Sequence, residues 1–198
     1  WTQTASLTPG SNFPVQFRQE DACNPLGLAA PLLAGCSRVA DWEKRTITDT
    51  AGSAATFYLP PQVLTGLLYR QGFTLLLSEG DYQDVDELTL LTYAANATRI
   101  AQGNVVGVAV VTTVDNQVHV TPLHMGIETA EAMYDTPDVP PQHSKPSQQY
   151  PLAIGGLAYP VSLHFAELIT PASITVLFTY AGQWHVAPLF FVWGVGRP

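Results

Sequence analysis

An all-β domain is predicted by three observations: a series of short alternating apolar runs, turn-forming residues between them, and a body with few charges. Charged residues make up 12% of the 198, about half the usual share of a globular domain. Thr, Ser, Asn, Gln and carboxylates must therefore keep the exterior in solution. The expected architecture is an antiparallel β-barrel or sandwich with hairpins and one long Pro-rich surface loop. A hydrophobic content of 46% is ample for a buried core.

Residues 1–55 are rich in Pro, Gly, Thr and Ala, with a short strand at Val15–Phe17 and a weak one over Arg45–Thr50. Thr56–Leu59 then stops at Pro60-Pro61, and Phe73–Ser78 stops at Glu79-Gly80-Asp81. Val85–Tyr93 is the next strand. Val105–Val114 carries apolar residues on both faces and reads as a fully covered core strand. Asp115-Asn116 joins it to Gln117–Thr121 as a hairpin, with Val118 and Val120 expected inward and His119 and Thr121 outward.

Gly126–Gly156 differs in composition, holding five prolines among Gln and Ser, and only Ile127–Tyr134 has the pattern for a helical turn or two. Irregular segments of this length are commonly either binding loops or disordered inserts. Val161–Leu168, Ser173–Tyr180 and Trp184–Trp193 follow and predict a C-terminal meander. In Ser173–Tyr180 the face bearing Ile174, Val176, Phe178 and Tyr180 is expected to point into the core. The last strand is apolar on both faces and contains Pro188, which pushes it toward a sheet edge or a bulge. Its cover is either another part of this chain or a second copy, which makes Leu189, Phe191 and Trp193 dimer-interface candidates.

The formal net charge of −8 and the scattered basic residues remove the counterion-release term that drives nucleic-acid binding. Nucleic acid is not an expected partner. No run of about 18 apolar residues occurs, so no membrane insertion is expected. The chain runs from Trp1 to Pro198 without an initiating Met, which predicts one domain, 1–198, excised from a longer polyprotein. Cys23 and Cys36 can close a disulfide ring or remain as two buried thiols. The triplet Asn96-Ala97-Thr98 is a glycosylation sequon of a kind that arises often by chance.

No serine-hydrolase elbow, HExxH helix, phosphate loop or GxGxxG is present. His119 and His124 fall on opposite faces of a strand and cannot share a metal. The acidic cluster Glu79, Asp81, Asp84, Asp86 and Glu87 lacks the spacing of a calcium loop, although Asp84 and Asp86 share a face if both lie in a strand. A non-enzymatic domain with no cofactor and no metal is expected. Aromatic and amide side chains near turns remain as contact candidates: Tyr82, Asp84, Tyr134, Asp135, Gln148, Tyr150 and Trp184.

A charge-poor all-β chain with two lysines, abundant Thr and Pro, hairpins and one long polar insert resembles the protruding domains of small non-enveloped virus capsids. More narrowly, it resembles the capsid spike domain of avian-type astroviruses such as turkey astrovirus. The resemblance implies a β-barrel-like homodimer on the virion surface that attaches to a host cell-surface receptor, glycan or protein, and presents antibody epitopes. It carries over no contact residue. Lys145, the single basic residue of the 126–156 insert, is followed by Pro146, and cleavage there by trypsin-like proteases is expected to be disfavoured. The competing functions are a secreted hydrolase, glycosidase or esterase, and a cell-surface adhesin; a deep pocket with a perturbed carboxylate or His would mark the hydrolase.

Overall fold

Alternating apolar side chains build two β-sheets, seen in a computed structural model that describes residues 36–60, 73–77, 82–136, 139–153, 155–178 and 189–196. Eleven strands are described: β1 (Cys36–Arg38), β2 (Glu43–Thr48), β3 (Ala54–Leu59), β4 (Phe73–Leu76), β5 (Val85–Ala95), β6 (Val105–Thr113), β7 (Val118–His124), β8 (Tyr150–Pro151), β9 (Leu157–Ile169), β10 (Pro171–Phe178) and β11 (Leu189–Gly196). The five-stranded sheet runs β1-β4-β10-β6-β7 and the six-stranded sheet β2-β3-β11-β5-β9-β8. All neighbours are antiparallel except β1 and β4. The protein is all-β, as the alternation predicts.

Between the sheets lies one apolar core. Leu75, Val106, Ala109, Val111, Leu123, Ile174 and Val176 from one sheet meet Leu88, Leu90, Val161, Leu163, Val192 and Val195 from the other. Ile174 and Val176 therefore point inward, on the face the alternation assigns to them. At about 25 cal/mol per Å2 of apolar area removed from water, a layer of this kind is the dominant stabilising term.

The expected C-terminal meander does not form. β9 pairs with β5 and β8, β10 with β4 and β6, and β11 with β3 and β5. These three strands alternate between the sheets, and Thr170 alone separates β9 from β10 at the crossing. Pro171 fits there because the first residue of a strand can lack a donor. β11 is likewise no simple edge: β5 pairs along its length, while β3 pairs at Val195 and Gly196. A register shift between Val192 and Gly194 places Gly194 where an added Cβ would lie 2.7 Å from the Leu59 side chain.

The β6–β7 hairpin forms, with Asn116 at φ 66° in its turn and the Thr113 N–H donating to Gln117 O at 3.0 Å. Its faces are opposite to expectation. Val110 pairs with Val120 and Val111 with His119, and Val111 is buried in the core, so His119 follows it inward and packs on Phe165. Val118 and Val120 are 44% and 56% exposed. A one-residue choice of register inverts every side chain of a strand. β6 is covered on both faces from Val106 to Thr113, with Val105 exposed at its start, and β5 is covered more fully still, Leu88 to Ala94 all being buried.

β5 is covered twice because the six-stranded sheet curls. The Thr50 N–H donates to Gln149 O at 2.8 Å and the Gln148 amide to Asp49 at 3.2 Å, drawing β8 toward the loop after β2. Phe57, Leu59, Leu91 and Tyr150 fill the concave side. Cys36 is disulfide-bonded, while Cys23 and the Val15–Phe17 strand lie outside the described residues. Among the described residues no helix is long and apolar enough to cross a membrane.

Candidate functional site

The described residues of the polar stretch 126–156 build a packed lobe at one end of the six-stranded sheet. In place of the helical turns expected over Ile127–Tyr134, Ala130 to Ala132 runs as a short extended piece wedged between the diverging ends of β5 and β9. Ala94 donates to Ala130 O at 2.9 Å, Ala132 to Ala94 O at 2.7 Å and Leu157 to Ala132 O at 2.9 Å. Small side chains are required at this wedge: Ala130 and Ala132 pack against Tyr93, Leu152, Ala158 and Tyr159.

Alternation sends Glu131 to the opposite side from its alanine neighbours, and it is 4% exposed. Its carboxylate accepts from the Ala97 N–H at 2.7 Å and the Met133 N–H at 3.5 Å. Desolvation nevertheless raises its pKa, and these two donors offset the rise only in part. His143, also 4% exposed, sits beside it. The imidazole contacts the Ile100 carbonyl through Nδ1 at 2.8 Å and accepts the Glu131 N–H at Nε2 at 3.3 Å. A carbonyl only accepts and an amide N–H only donates, so His143 is the neutral Nδ1–H tautomer. Burial lowers its pKa, against the opposing effect of the Ile100 carbonyl.

Above this buried layer lies the exposed part of the lobe. The Tyr134 hydroxyl donates to His143 O at 2.7 Å, and its ring is 5.9 Å from the imidazole. Lys145 Nζ lies 5.3 Å from the Tyr134 ring centroid and reaches both Asp135 carboxylate oxygens at 2.6 Å. Tyr134, Asp135 and Lys145 are thus stacked in a fixed order at the surface. Beside them is a depression of about 170 Å3 lined by Ala132, Met133, Asp135, Thr136, Gly156 and Leu157. Gly156 has φ 91°, and an added Cβ would lie 2.8 Å from Ala132 O, so its lack of a side chain shapes the floor.

Small-molecule pockets usually enclose about 300–1,000 Å3, so this depression fits one side chain or part of one sugar. It offers a carboxylate and the Thr136 hydroxyl beside the exposed Met133. Glu131 and His143 do not line it, and both ring nitrogens of His143 are already engaged. Among the described residues no group of three or more His, Cys, Asp or Glu is placed to hold a metal ion.

Of the contact candidates, the structure brings Tyr134 and Asp135 together on this surface and removes others from it. Tyr82 is 1% exposed within the main core, its ring 6.0 Å from Tyr58. Tyr150 is 2% exposed and makes an edge contact with Phe57 at 5.3 Å. Neither ring offers a contact surface. Gln148 is exposed but already bridges Asp49 and the Tyr150 hydroxyl, at 3.2 and 3.1 Å, in closing the curled sheet. Asp84 is exposed at φ 51° before β5 begins, so it does not share a strand face with Asp86. Trp184, Glu79 and Asp81 lie outside the described residues, as do the side chains of Leu189, Phe191 and Trp193.

A second surface stands out on the outer side of the five-stranded sheet. Ser173, Thr112 and Val118 form one cross-strand row, Thr175, Val110 and Val120 the next, and Leu177, Val108 and Pro122 a third, of which Val118, Val120, Pro122 and Leu177 are exposed while Ser173 and Val108 are buried. None of these side chains is charged. Comparison of the chain with protein-family models, with curated proteins and with solved structures gives no match.

Proposed function

We propose that this chain is a spike, or protruding, domain of a viral capsid: a virion-surface module that attaches to a host cell-surface receptor and presents antibody epitopes. The observation that carries the reading is the lobe of residues 126–156. The described residues of a long Pro- and Gln-rich insert in a charge-poor body are held by directed hydrogen bonds to the sheet, with an aromatic ring, an ion pair and a shallow depression on the outer surface. A pre-ordered surface loses less entropy on binding than a floppy loop does. Aromatic and paired charged groups at the centre of a contact are suited to proteins and sugars alike. The depression is open and small, which favours recognition over enclosure of a substrate.

The receptor-contact residues of this reading are Tyr134 and Asp135, with Lys145 and Thr136 joining them. For the homodimer we propose the uncharged rows around the exposed Val118 and Val120 as the contact face, in place of the Leu189, Phe191 and Trp193 face expected from the sequence, because uncovered apolar surface on an uncharged face favours a second copy. Binding of the labelled domain to glycan arrays and to permissive cells tests the attachment reading. Saturable binding that is weakened at least tenfold by Asp135→Lys supports it; binding to neither, with the domain folded, overturns it.

A further inference from the structure

We propose that Glu131 and His143 form an acid-sensitive latch that holds residues 126–153 against the β-body at neutral pH and releases them on acidification. The geometry is that of a clamp with one permitted protonation state. His143 bridges two separate pieces of chain, Ile100 after β5 and Glu131 in the wedge, through an Nδ1–H that donates and an Nε2 that accepts. A proton added at Nε2 faces the Glu131 N–H, so the bond is lost and a buried cation is left between two groups that cannot both stabilise it. The neighbouring links rely on the same placement: Gln142 donates to Thr98 O at 2.7 Å, and Tyr134 to His143 O at 2.7 Å.

Every element packed here contributes titratable or charged groups. Tyr93 comes from β5 and Tyr159 from β9, whose hydroxyl donates to Glu131 O at 2.9 Å. Arg99 is exposed on the turn that carries Ile100, and Tyr134, Asp135 and Lys145 come from the lobe. Lys145 is paired with Asp135, so no carboxylate of that pair is left to stabilise an imidazolium at His143. Burial lowers the His143 pKa, so an opened lobe takes up a proton near pH 6.5 that the closed lobe refuses. Through His143, acid therefore favours opening.

Glu131 acts in the opposite sense. Its pKa is raised in the closed state, so it binds a proton there that it would release on opening, and it blunts the response to acid. Release would uncover the apolar surface around Tyr93, Ala158 and Tyr159 and dismantle the Tyr134–Asp135–Lys145 stack. The latch thus couples the shape of the lobe surface to the acidity of its surroundings.

Hydrogen–deuterium exchange on the whole chain from pH 7.5 to 5.0, corrected for intrinsic rates, tests it. Amides of 126–153 should lose protection by up to roughly tenfold per pH unit below about 6.5, the slope of one linked proton, while Ala109, Val111, Ile174 and Val176 keep theirs. His143→Gln, which keeps a neutral acceptor, should flatten the response, and Glu131→Gln should steepen it. An unchanged lobe, the same slope in His143→Gln, or simultaneous loss in the core strands would overturn the latch. Should His143→Gln fail to fold, the imidazole titration of the unaltered protein decides: a midpoint below 6.5 tracked by lobe exchange supports the latch, and one at or above 6.5 contradicts it.

Discussion

The domain has two interiors of different chemistry. Between the sheets, Leu, Ile, Val and Ala make most of the contacts, with Tyr82 among them and His119 against Phe165 at the margin, so stabilisation is spread over many apolar residues. Beneath the lobe, two titratable side chains are buried among small alanines, and order depends on a few directed hydrogen bonds. The comparison teaches that a segment can be well packed and still be the part of a fold most readily detached.

Substitutions should separate the two interiors, beginning with the largest effect. Ile174→Ala or Leu90→Ala in the main core should cost about 2–5 kcal/mol and lower the urea midpoint of the whole domain. A loss confined to one sheet would break the single-core description. Glu131→Ala leaves the Ala97 and Met133 N–H groups without their acceptor and should cost roughly 1–3 kcal/mol. Its signature is faster exchange in the lobe at pH 7.5 with the core amides unchanged.

Gly156→Ala places a side chain at φ 91° against Ala132 O and should cost about 1–3 kcal/mol, again read in the lobe. Alkaline pH provides a further contrast, since burial pushes the Tyr93 phenol up to about 12. A raised folded pKa means that the stability it contributes is complete below pH 10 and fades as the pH rises from about 10 toward 12. Fluorescence and circular dichroism across that range check this, and a domain equally stable at pH 9 and 12 would contradict it. The smallest change is expected from Lys145→Ala, because the exposed pair with Asp135 is worth at most about 1 kcal/mol.

Strand positions were legible in the sequence because a period of two survives any tertiary arrangement. Ser173–Phe178, within β10, and the Asp115-Asn116 hairpin show this. Which strands pair was not legible, since β5 meets β11 and β9 across long sequence separations that local pattern does not encode. The inward face of β7 was misread for a related reason: Val118 and Val120 look like core residues until register against Val111 assigns that place to His119. Aromatic candidates divided by burial, a tertiary property, so Tyr82 and Tyr150 went to the core while Tyr134 stayed at the surface. Glu131 and His143 carried no motif. The faint signal was a carboxylate flanked by Ala130 and Ala132, small residues that permit a close approach of chains.

The uncharged outer rows of the five-stranded sheet and the lobe also make separable predictions. Val120→Lys places a charge on an exposed position and should leave thermal stability within about 0.5 kcal/mol. Sedimentation should then show monomer where the unaltered chain is dimeric. A chain that is monomeric before substitution at tens of micromolar would remove the second-copy assignment of this face.

The most direct measurement of the account is a side-by-side comparison of cell binding by Asp135→Lys and Val120→Lys at pH 7.4, each at matched concentration of folded domain and fused to the same dimeric carrier to hold valency constant. The prediction is at least a tenfold loss for Asp135→Lys with binding kept by Val120→Lys. Equal binding by both variants, or loss confined to Val120→Lys, would contradict the assignment of the contact surface to the lobe.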